Sequence, residues 1–324
     1  MSLSVSHLTK KYGNNVVLDD LSFNMDGPGV YALLGTNGAG KTTAIRMMLG
    51  MLSRDAGEVL WNGAPLDTTT CNVGYLAEER GLYPKYALMD QLTYFASLRG
   101  ITGDEAKKRI RYWAERLEVT EYLYPETAAQ TLVGESRPSL LRKRTKPKLA
   151  DQLSKGNQQK IQLMCALISD PELIILDEPL SGLDPVNTDI FRNIINEQIE
   201  KGKYLIMSSH QMATVEEFCT DITILDKSKT VLQGNLNEIK KSYGRVNLHL
   251  KTEGDVSAII GENGALVLSV KENEYRLRVS GEDQASRLLS SLIAGGATVI
   301  AFELTEPSLH EIFVRTVGGA DEEQ

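Results

Sequence analysis

The feature that most constrains this chain is the segment Gly35-Thr36-Asn37-Gly38-Ala39-Gly40-Lys41-Thr42-Thr43, which follows the apolar run Val30–Leu34. Its spacing matches G-x-x-x-x-G-K-[ST] between a predicted strand and a predicted helix, the context in which this pattern binds phosphate. Glycines let successive backbone N–H groups turn toward a phosphate, and the following helix adds its positive N-terminal end. The segment therefore predicts an α/β fold with a phosphate-binding loop (P-loop), in which Lys41 reaches the β- and γ-phosphates and Thr42 ligates Mg²⁺.

Length and composition exclude several other classes of protein. The chain has 324 residues, of which 42% are hydrophobic and 24% charged, so we expect two globular domains. No apolar run reaches the roughly 18 residues of a membrane-spanning helix, and the N-terminus lacks the pattern of a secretory signal. Three widely spaced cysteines predict neither a disulfide framework nor a zinc site and indicate the reducing cytosol. A net charge of -8 disfavours a general nucleic-acid binder.

Short β-rich runs alternate with helical patterns over about the first 240 residues, which favours a largely parallel sheet. The helical pattern is clearest where Ile110, Trp113, Ala114 and Leu117 share one face of a helix predicted over Asp104–Glu118. The predicted strands are Leu3–Leu8, Val16–Phe23, Val30–Leu34, Gly57–Trp61, Val73–Leu76, Leu173–Leu176 and Tyr204–Met207, with a closing hairpin of Ile222–Leu225 and Thr230–Leu232.

The pattern changes near Gly244, and residues 244–324 are predicted to form a second, smaller domain. Strands are expected at 246–250, 265–270, 275–279 and 298–304, with helices at 283–293 and after Pro307. Strands interspersed with two helices in so short a stretch predict an α+β sandwich of ferredoxin-like type.

A second candidate site follows the buried strand Leu173–Leu176, where the chain continues Asp177-Glu178-Pro179. Parallel strands end at the same edge of a sheet, so these carboxylates should lie beside the phosphate-binding loop. Asp177 can hold the Mg²⁺ shell, and Glu178 can accept a proton from a water aligned with the γ-phosphate. The alternative interpretation is ordinary turn chemistry at a strand end.

With these motifs in place, three further segments resemble the ATP-binding-cassette (ABC) ATPases. The sequence Leu153-Ser154-Lys155-Gly156-Asn157-Gln158-Gln159 resembles their signature, Ser181-Gly182-Leu183-Asp184 their D-loop, and His210 their switch histidine. Tyr12 lies where the family stacks an aromatic ring on adenine. The resemblance implies a P-loop NTPase cassette over residues 1–243, with a mixed sheet and a helical subdomain at about 85–170.

The resemblance also implies that two copies face head to tail, with each ATP between one copy's phosphate-binding loop and the other's signature. Ser154 and Gly156, at the start of a helix, would then form a second anion-binding end for the γ-phosphate. His210 would contact the γ-phosphate and hold the water and Glu178 in line. The alternatives are a structural role for His210 and ordinary packing for Tyr12.

One position departs from the family pattern, because Glu78 occupies the place where the family's Q-loop has glutamine. A carboxylate can still ligate Mg²⁺, but it brings a charge that must be offset. The segment Glu78-Glu79-Arg80-Gly81-Leu82-Tyr83 resembles a subset of bacterial export ATPases, including NatA-like sodium-efflux and some antibiotic-resistance proteins, which also carry a small C-terminal domain.

A second departure is the stretch 137–148, which contains six basic residues and no acidic one. One interpretation is a solvated loop. The other is contact with a membrane partner or with anionic lipid headgroups, to which each Lys or Arg near the surface contributes about 1 kcal/mol.

The predicted function is therefore that of an ATPase which binds ATP and Mg²⁺ and dimerises on ATP binding. It would lie at the inner face of the cell membrane and power a separately encoded transmembrane permease that exports a substrate. A soluble ABC ATPase of ribosomes or DNA is disfavoured, because there is one phosphate-binding loop and no long heptad run. A regulatory ABC ATPase without transport is the remaining alternative. Selectivity for the transported substrate would reside in the membrane subunit.

Overall fold

The computed structural model describes residues 1–79, 81–124 and 148–318. The basic stretch 137–148 therefore lies outside the described residues, except for Lys148. The chain divides into two compact units, one of Met1–Gln211 with Phe218–Val231 and one of Met212–Glu217 with the chain from Leu232 onward. The expected domain boundary between residues 243 and 244 stays a prediction.

A ten-stranded sheet organises the first unit, in the order β5-β4-β1-β2-β10-β9-β3-β8-β7-β6. Its strands are β1 Leu3–Tyr12, β2 Asn15–Met25, β3 Gly29–Gly35, β4 Ala56–Trp61, β5 Ala64–Pro65, β6 Val73–Leu76, β7 Leu173–Asp177, β8 Tyr204–Ser209, β9 Asp221–Asp226 and β10 Lys229–Asn235. Each strand predicted for this unit is found. The predicted fold class, an α/β domain with a mixed sheet followed by a small α+β unit, is confirmed.

The five strands β9, β3, β8, β7 and β6 run parallel and form one half of this sheet, with β6 at its edge. Every residue of β7 and β8 is buried, as continuous apolar runs in a sheet covered on both faces predict. Parallel alignment brings the carboxyl ends of β3, β7 and β8 to one edge. The phosphate-binding loop and the Asp177-Glu178 pair follow β3 and β7 at that edge.

The helices of the first unit lie around this sheet. Helix α3 buries Ala106, Ile110, Trp113 and Ala114 along one stripe, which is the predicted face. Among the described residues, no helix combines the length and apolarity needed to cross a membrane. These helices are α1 Lys41–Met48, α2 Leu88–Ser97, α3 Gly103–Arg116, α4 Thr120–Leu123, α5 Lys155–Leu167 and α6 Pro185–Glu200, with a 3₁₀ turn at Ala150–Gln152. The next helix, α7 Met212–Val215, belongs to the second unit.

The second unit contains an antiparallel sheet of four strands in the order β12-β13-β11-β14. Its elements are α8 Leu236–Ser242, β11 Asn247–Thr252, α9 Ser257–Glu262, β12 Leu266–Lys271, β13 Glu274–Arg278, α10 Glu282–Ala294, β14 Val299–Thr305 and α11 Leu309–Gly318. From β11 to β14 the succession βαββαβ and the strand order are those of a ferredoxin-like sandwich. Leu248, Tyr275 and Leu277 of the sheet share one apolar core with Leu288 and Leu292 of α10.

Candidate active site

The phosphate-binding loop connects β3, which ends at Gly35, to α1, which begins at Lys41. The backbone of Gly40 has φ +108°, a conformation that side chains rarely adopt. A Cβ atom at Gly35 would lie 2.3 Å from the carbonyl oxygen of Leu225, and one at Gly40 would lie 2.7 Å from that of Val17. Glycine is therefore required at both ends of the loop.

Lys41 spans this loop and is only 6% exposed. Its Nζ donates hydrogen bonds to the carbonyl oxygens of Gly35 at 2.8 Å and Thr36 at 3.2 Å. The same nitrogen lies 3.4 Å from Oε1 of Glu178. The lysine thus joins the loop to the carboxylate that follows β7.

Asp177 lies at the end of β7 and is 1% exposed. The hydroxyl of Thr42 donates to its Oδ1 at 3.2 Å, and the Ser208 hydroxyl donates to the same oxygen. Burial raises the pKa of the Asp177 carboxyl above its ordinary value, and the hydrogen bonds from Ser208 and Thr42 oppose that increase. The other oxygen, Oδ2, is buried without a hydrogen-bond partner.

This donor set fits Mg²⁺. A buried carboxylate oxygen without a partner lies beside a threonine hydroxyl, and both are hard oxygen ligands. Within the described part of the chain, no three His, Cys, Asp or Glu side chains converge on one point as a metal cluster. Mg²⁺ at a nucleotide site is usually bound through one or two protein oxygens together with phosphates and water.

Glu178 follows directly and is 5% exposed, with a left-handed backbone at φ +50°. Its N–H donates to the Ser208 hydroxyl at 3.0 Å, and its Oε2 lies 2.9 Å from Nδ1 of His210. One carboxylate oxygen therefore faces Lys41 and the other faces His210. A carboxylate oriented in this way beside a phosphate-binding loop can accept a proton.

Ser208 was not predicted as part of the site, although it holds both carboxylate residues. It lies directly opposite Asp177 in the parallel pairing of β7 with β8. The signal that could have found it is its position two residues before His210 on a buried strand. We refer to Lys41, Thr42, Asp177, Glu178 and His210 as the strand-end group.

Glu78 follows β6, the next strand of the parallel set, and its side chain is exposed. It lies at a cavity of 230 Å³ that we call the catalytic cavity, which is lined by Glu78, Glu79, Lys155, Gln159, Glu178 and Ser181. The structure therefore brings Glu78 to the same cavity as the predicted general base.

The signature segment, Leu153–Gln159, contains the start of α5. Ser154 is exposed and caps this helix, because its Oγ accepts a hydrogen bond from the N–H of Asn157 at 3.3 Å. Gly156 packs against α6, since a Cβ there would lie 2.9 Å from Nδ2 of Asn187. These contacts join Ser154 and Gly156 to α5 and α6 rather than to the phosphate-binding loop of their own chain.

Tyr12 ends β1 with a ring that is 55% exposed. The ammonium of Lys10 lies 5.2 Å from the ring centroid and is held by Asp55 at 3.2 Å. The ring is therefore accessible for stacking, but these contacts do not join it to the strand-end group.

Comparison with known proteins agrees with this geometry. Residues 18–181 match the family model described as ABC transporter, and residues 234–317 match that of the C-terminal domain of DrrA1-3-like ATP-binding proteins. The chain is 39% identical over 321 residues to the uncharacterised ABC transporter ATP-binding protein YhaQ of Bacillus subtilis (strain 168), covering 99% of this chain and 100% of that protein. It is 27% identical to the Nod factor export ATP-binding protein I of Mesorhizobium japonicum (strain LMG 29417 / CECT 9101 / MAFF 303099), over all of this chain and 88% of that protein.

A solved structure, described as the ATP-binding subunit of an ABC transporter, superposes with a TM-score of 0.63 at 28% identity. The match covers 75% of this chain and 93% of the solved one. The motifs, the sheet order and these matches agree over the length of the cassette. The chain therefore belongs to the ATP-binding proteins of the ABC transporter family.

Proposed function

We propose that this chain hydrolyses ATP to power the export of a solute through a separately encoded transmembrane permease. The observation that carries the proposal is the buried carboxylate of Glu178, which lies between Lys41 and His210 beside the phosphate-binding loop. A protein that binds ATP without hydrolysing it would not need a buried carboxylate beside the phosphate-binding loop. The C-terminal domain matches a domain of ATP-binding proteins, and the Nod factor relative is named for export.

The residues of the loop would bind the nucleotide through their backbone N–H groups, as glycines in this conformation allow. These are Gly35, Thr36, Asn37, Gly38, Ala39, Gly40, Lys41, Thr42 and Thr43. Thr42, Asp177 and Glu78 would hold Mg²⁺, which when bound neutralises charge on the phosphates. The exposed ring of Tyr12 would stack on the adenine.

Hydrolysis would then need one proton acceptor. Glu178 takes a proton from water as the water oxygen bonds to the γ-phosphorus, and the bond to the β–γ bridging oxygen breaks to give ADP and phosphate. His210 holds the Glu178 carboxylate in place through its contact with Oε2. Ser208 fixes the backbone from which the carboxylate projects.

The signature segment supports a head-to-tail dimer. Ser154 and Gly156 lie at an exposed helix N-terminus, where backbone N–H groups and the helix dipole favour an anion. We propose that this end binds the γ-phosphate of the ATP held by a second copy. ATP binding would then drive dimerisation, and hydrolysis would reverse it.

An apolar cavity of 410 Å³ supports a permease partner. It lies between β6, α2 and α5, and its apolar lining includes Val73, Leu82, Phe95, Leu98 and the exposed Met51. An apolar helix of a permease would fit there and would place the chain at the inner face of the membrane. Recovery with a multi-span protein in mild detergent would support this partner, whereas recovery without one would favour the regulatory alternative.

Glu178→Gln tests the proposal directly. The amide keeps the shape of the side chain but cannot accept the proton, so hydrolysis should fall by roughly 10²–10⁴-fold while ATP binding persists. The ATP-bound dimer should accumulate, because ATP binding still forms it while the hydrolysis that separates the two copies is slow. Steady-state phosphate release and size-exclusion chromatography with ATP measure the two effects.

Glu172→Gln is the matched control, because Glu172 is an exposed glutamate immediately before the same strand. It should hydrolyse ATP at the wild-type rate. Hydrolysis by Glu178→Gln within threefold of wild type would remove Glu178 from the reaction.

A further inference from the structure

We propose that Lys155 is a positioning residue of the catalytic cavity, where its ammonium offsets the carboxylate of Glu78. The inference rests on the proposed function, because it concerns the electrostatics of the cavity in which hydrolysis would occur. It assigns a role in its own chain to the signature residue between Ser154 and Gly156. Neither of those neighbours lines the catalytic cavity.

The first observation is the charge of the cavity lining. Three glutamates, Glu78, Glu79 and Glu178, line this cavity of 230 Å³. Like charges around one cavity repel one another and would also repel the phosphates of a nucleotide. The cavity therefore needs positive charge if it is to accept ATP.

Two of the three carboxylates already face a cation from outside the cavity lining. Oε1 of Glu178 lies 3.4 Å from Nζ of Lys41, and Oε1 of Glu79 lies 3.7 Å from the guanidinium of Arg46. Among the described residues that line the cavity, Lys155 supplies the positive charge. Lys155 is accordingly the cation available to Glu78 within this set.

The second observation is the course of the Lys155 side chain. Its Nζ lies against Gly182, where an added Cβ would approach it to 2.8 Å. Gly182 has φ +69° and follows Ser181, which lines the same cavity. The glycine thus leaves the space through which the lysine reaches the cavity of its own chain.

The third observation is that one stripe of α5 holds the two loops that form the cavity. The side-chain amide of Gln159 donates to the carbonyl oxygen of Pro179 at 2.7 Å, and that of Gln162 donates to the carbonyl oxygen of Glu79 at 3.0 Å. Residues 155, 159 and 162 follow the i, i+4, i+7 spacing of one helix face. Lys155 therefore projects from a face that is fixed to both loops, which sets where its charge lies.

These observations predict that Lys155 and Glu78 are coupled in their effect on ATP binding. With a neutral side chain at position 78 the cavity has one negative charge fewer, and Lys155 is no longer needed. With Glu78 present, loss of Lys155 leaves a carboxylate that repels the incoming phosphates. The effect should be on the KM for ATP more than on kcat, because Glu178 and its own partners are unchanged.

A double-mutant cycle tests the pair with Lys155→Ala, Glu78→Gln and the two combined, in the full chain. Lys155→Ala should raise the KM for MgATP about three- to fivefold, the size expected of one partly exposed charge pair. In the Glu78→Gln background, adding Lys155→Ala should change KM less than about twofold relative to Glu78→Gln alone, and Lys155→Arg should keep the wild-type KM. The differences in KM between these variants should be smaller at 0.5 M salt, because salt screens the interaction between the two charges.

Lys108→Ala is the control, because Lys108 is an exposed lysine on α3 that does not line the catalytic cavity. It should leave KM unchanged. Equal effects of Lys155→Ala with and without Glu78→Gln would overturn the proposal and assign the lysine to folding or to the partner's nucleotide. A wild-type chain that binds but does not hydrolyse ATP would instead overturn the proposed function, so the two failures are distinguishable.

Discussion

The strand-end group and the signature segment differ in how much of their bonding lies within the chain. Lys41, Asp177 and Glu178 are 6%, 1% and 5% exposed, and each contacts another member of the group. Ser154 is exposed, and its hydroxyl contacts only the backbone of its own helix among the described hydrogen bonds. This difference is what we expect if the first region is assembled within one copy and, as we propose, the second binds a ligand held by another copy.

Ser154→Arg gives the strongest test of that difference. A bulky cation at an exposed helix start should leave the strand-end group of the same copy intact but intrude on the partner's γ-phosphate. We expect ATP-dependent dimerisation to be lost and turnover to fall more than about 10²-fold, as when geometry at the reacting centre is lost. ATP binding by the monomer should change less than about twofold, which titration with a fluorescent nucleotide would measure.

Ser286→Arg serves as a matched substitution outside the signature segment. Ser286 is an exposed serine on α10 that does not line the catalytic cavity. This variant should dimerise and turn over normally. Full activity in Ser154→Arg would show that one copy completes the site alone and would remove the basis of the comparison.

Lys41→Ala, in the strand-end group, should have the second-largest effect, which is a loss of ATP affinity. It removes a buried ammonium that faces Glu178 and the loop carbonyls, and it leaves the carboxylate without that partner. Loss of charge-assisted bonds to phosphate should weaken ATP binding by roughly 10–10²-fold. Nucleotide titration checks this, and an unchanged affinity would exclude Lys41 from the site.

Tyr12→Ala should have the smallest effect, because an exposed ring contributes stacking and no charge. We expect ATP affinity to fall about fivefold, near the lower end of base–aromatic stacking energies. Tyr12→Phe should retain wild-type affinity, since the ring is kept. If Tyr12→Ala binds ATP as tightly as Tyr12→Phe, the adenine lies elsewhere.

The ends of the parallel strands can be predicted because each strand is a continuous apolar run followed by a change in residue type. This change predicts that Gly35 and Asp177 lie at one edge of the sheet. Helix α6 was not predicted, although Asp184 caps it and Pro185 occupies its first turn. Asp184 also ends the D-loop motif, so one short segment carries both the motif and the signal for the start of the helix.

Contacts between distant segments could not be predicted in the same way. Ser208 holds Asp177 only because β7 and β8 pair in one particular register. Lys155 reaches the catalytic cavity only because Gly182 leaves room for its side chain. Such relations depend on how loops pack after the strands are arranged, and no local pattern encodes them.

The left-handed backbone of Glu178 has a consequence for the evolution of the chain. A non-glycine residue at φ +50° is strained by about 1–3 kcal/mol, and glycine or asparagine would relax that strain. Both lack the carboxylate that faces Lys41 and His210. Selection for stability alone would therefore move this position away from glutamate, and only selection for turnover would retain it. Position 178 thus combines the opposing demands of a stability–activity trade-off in one residue.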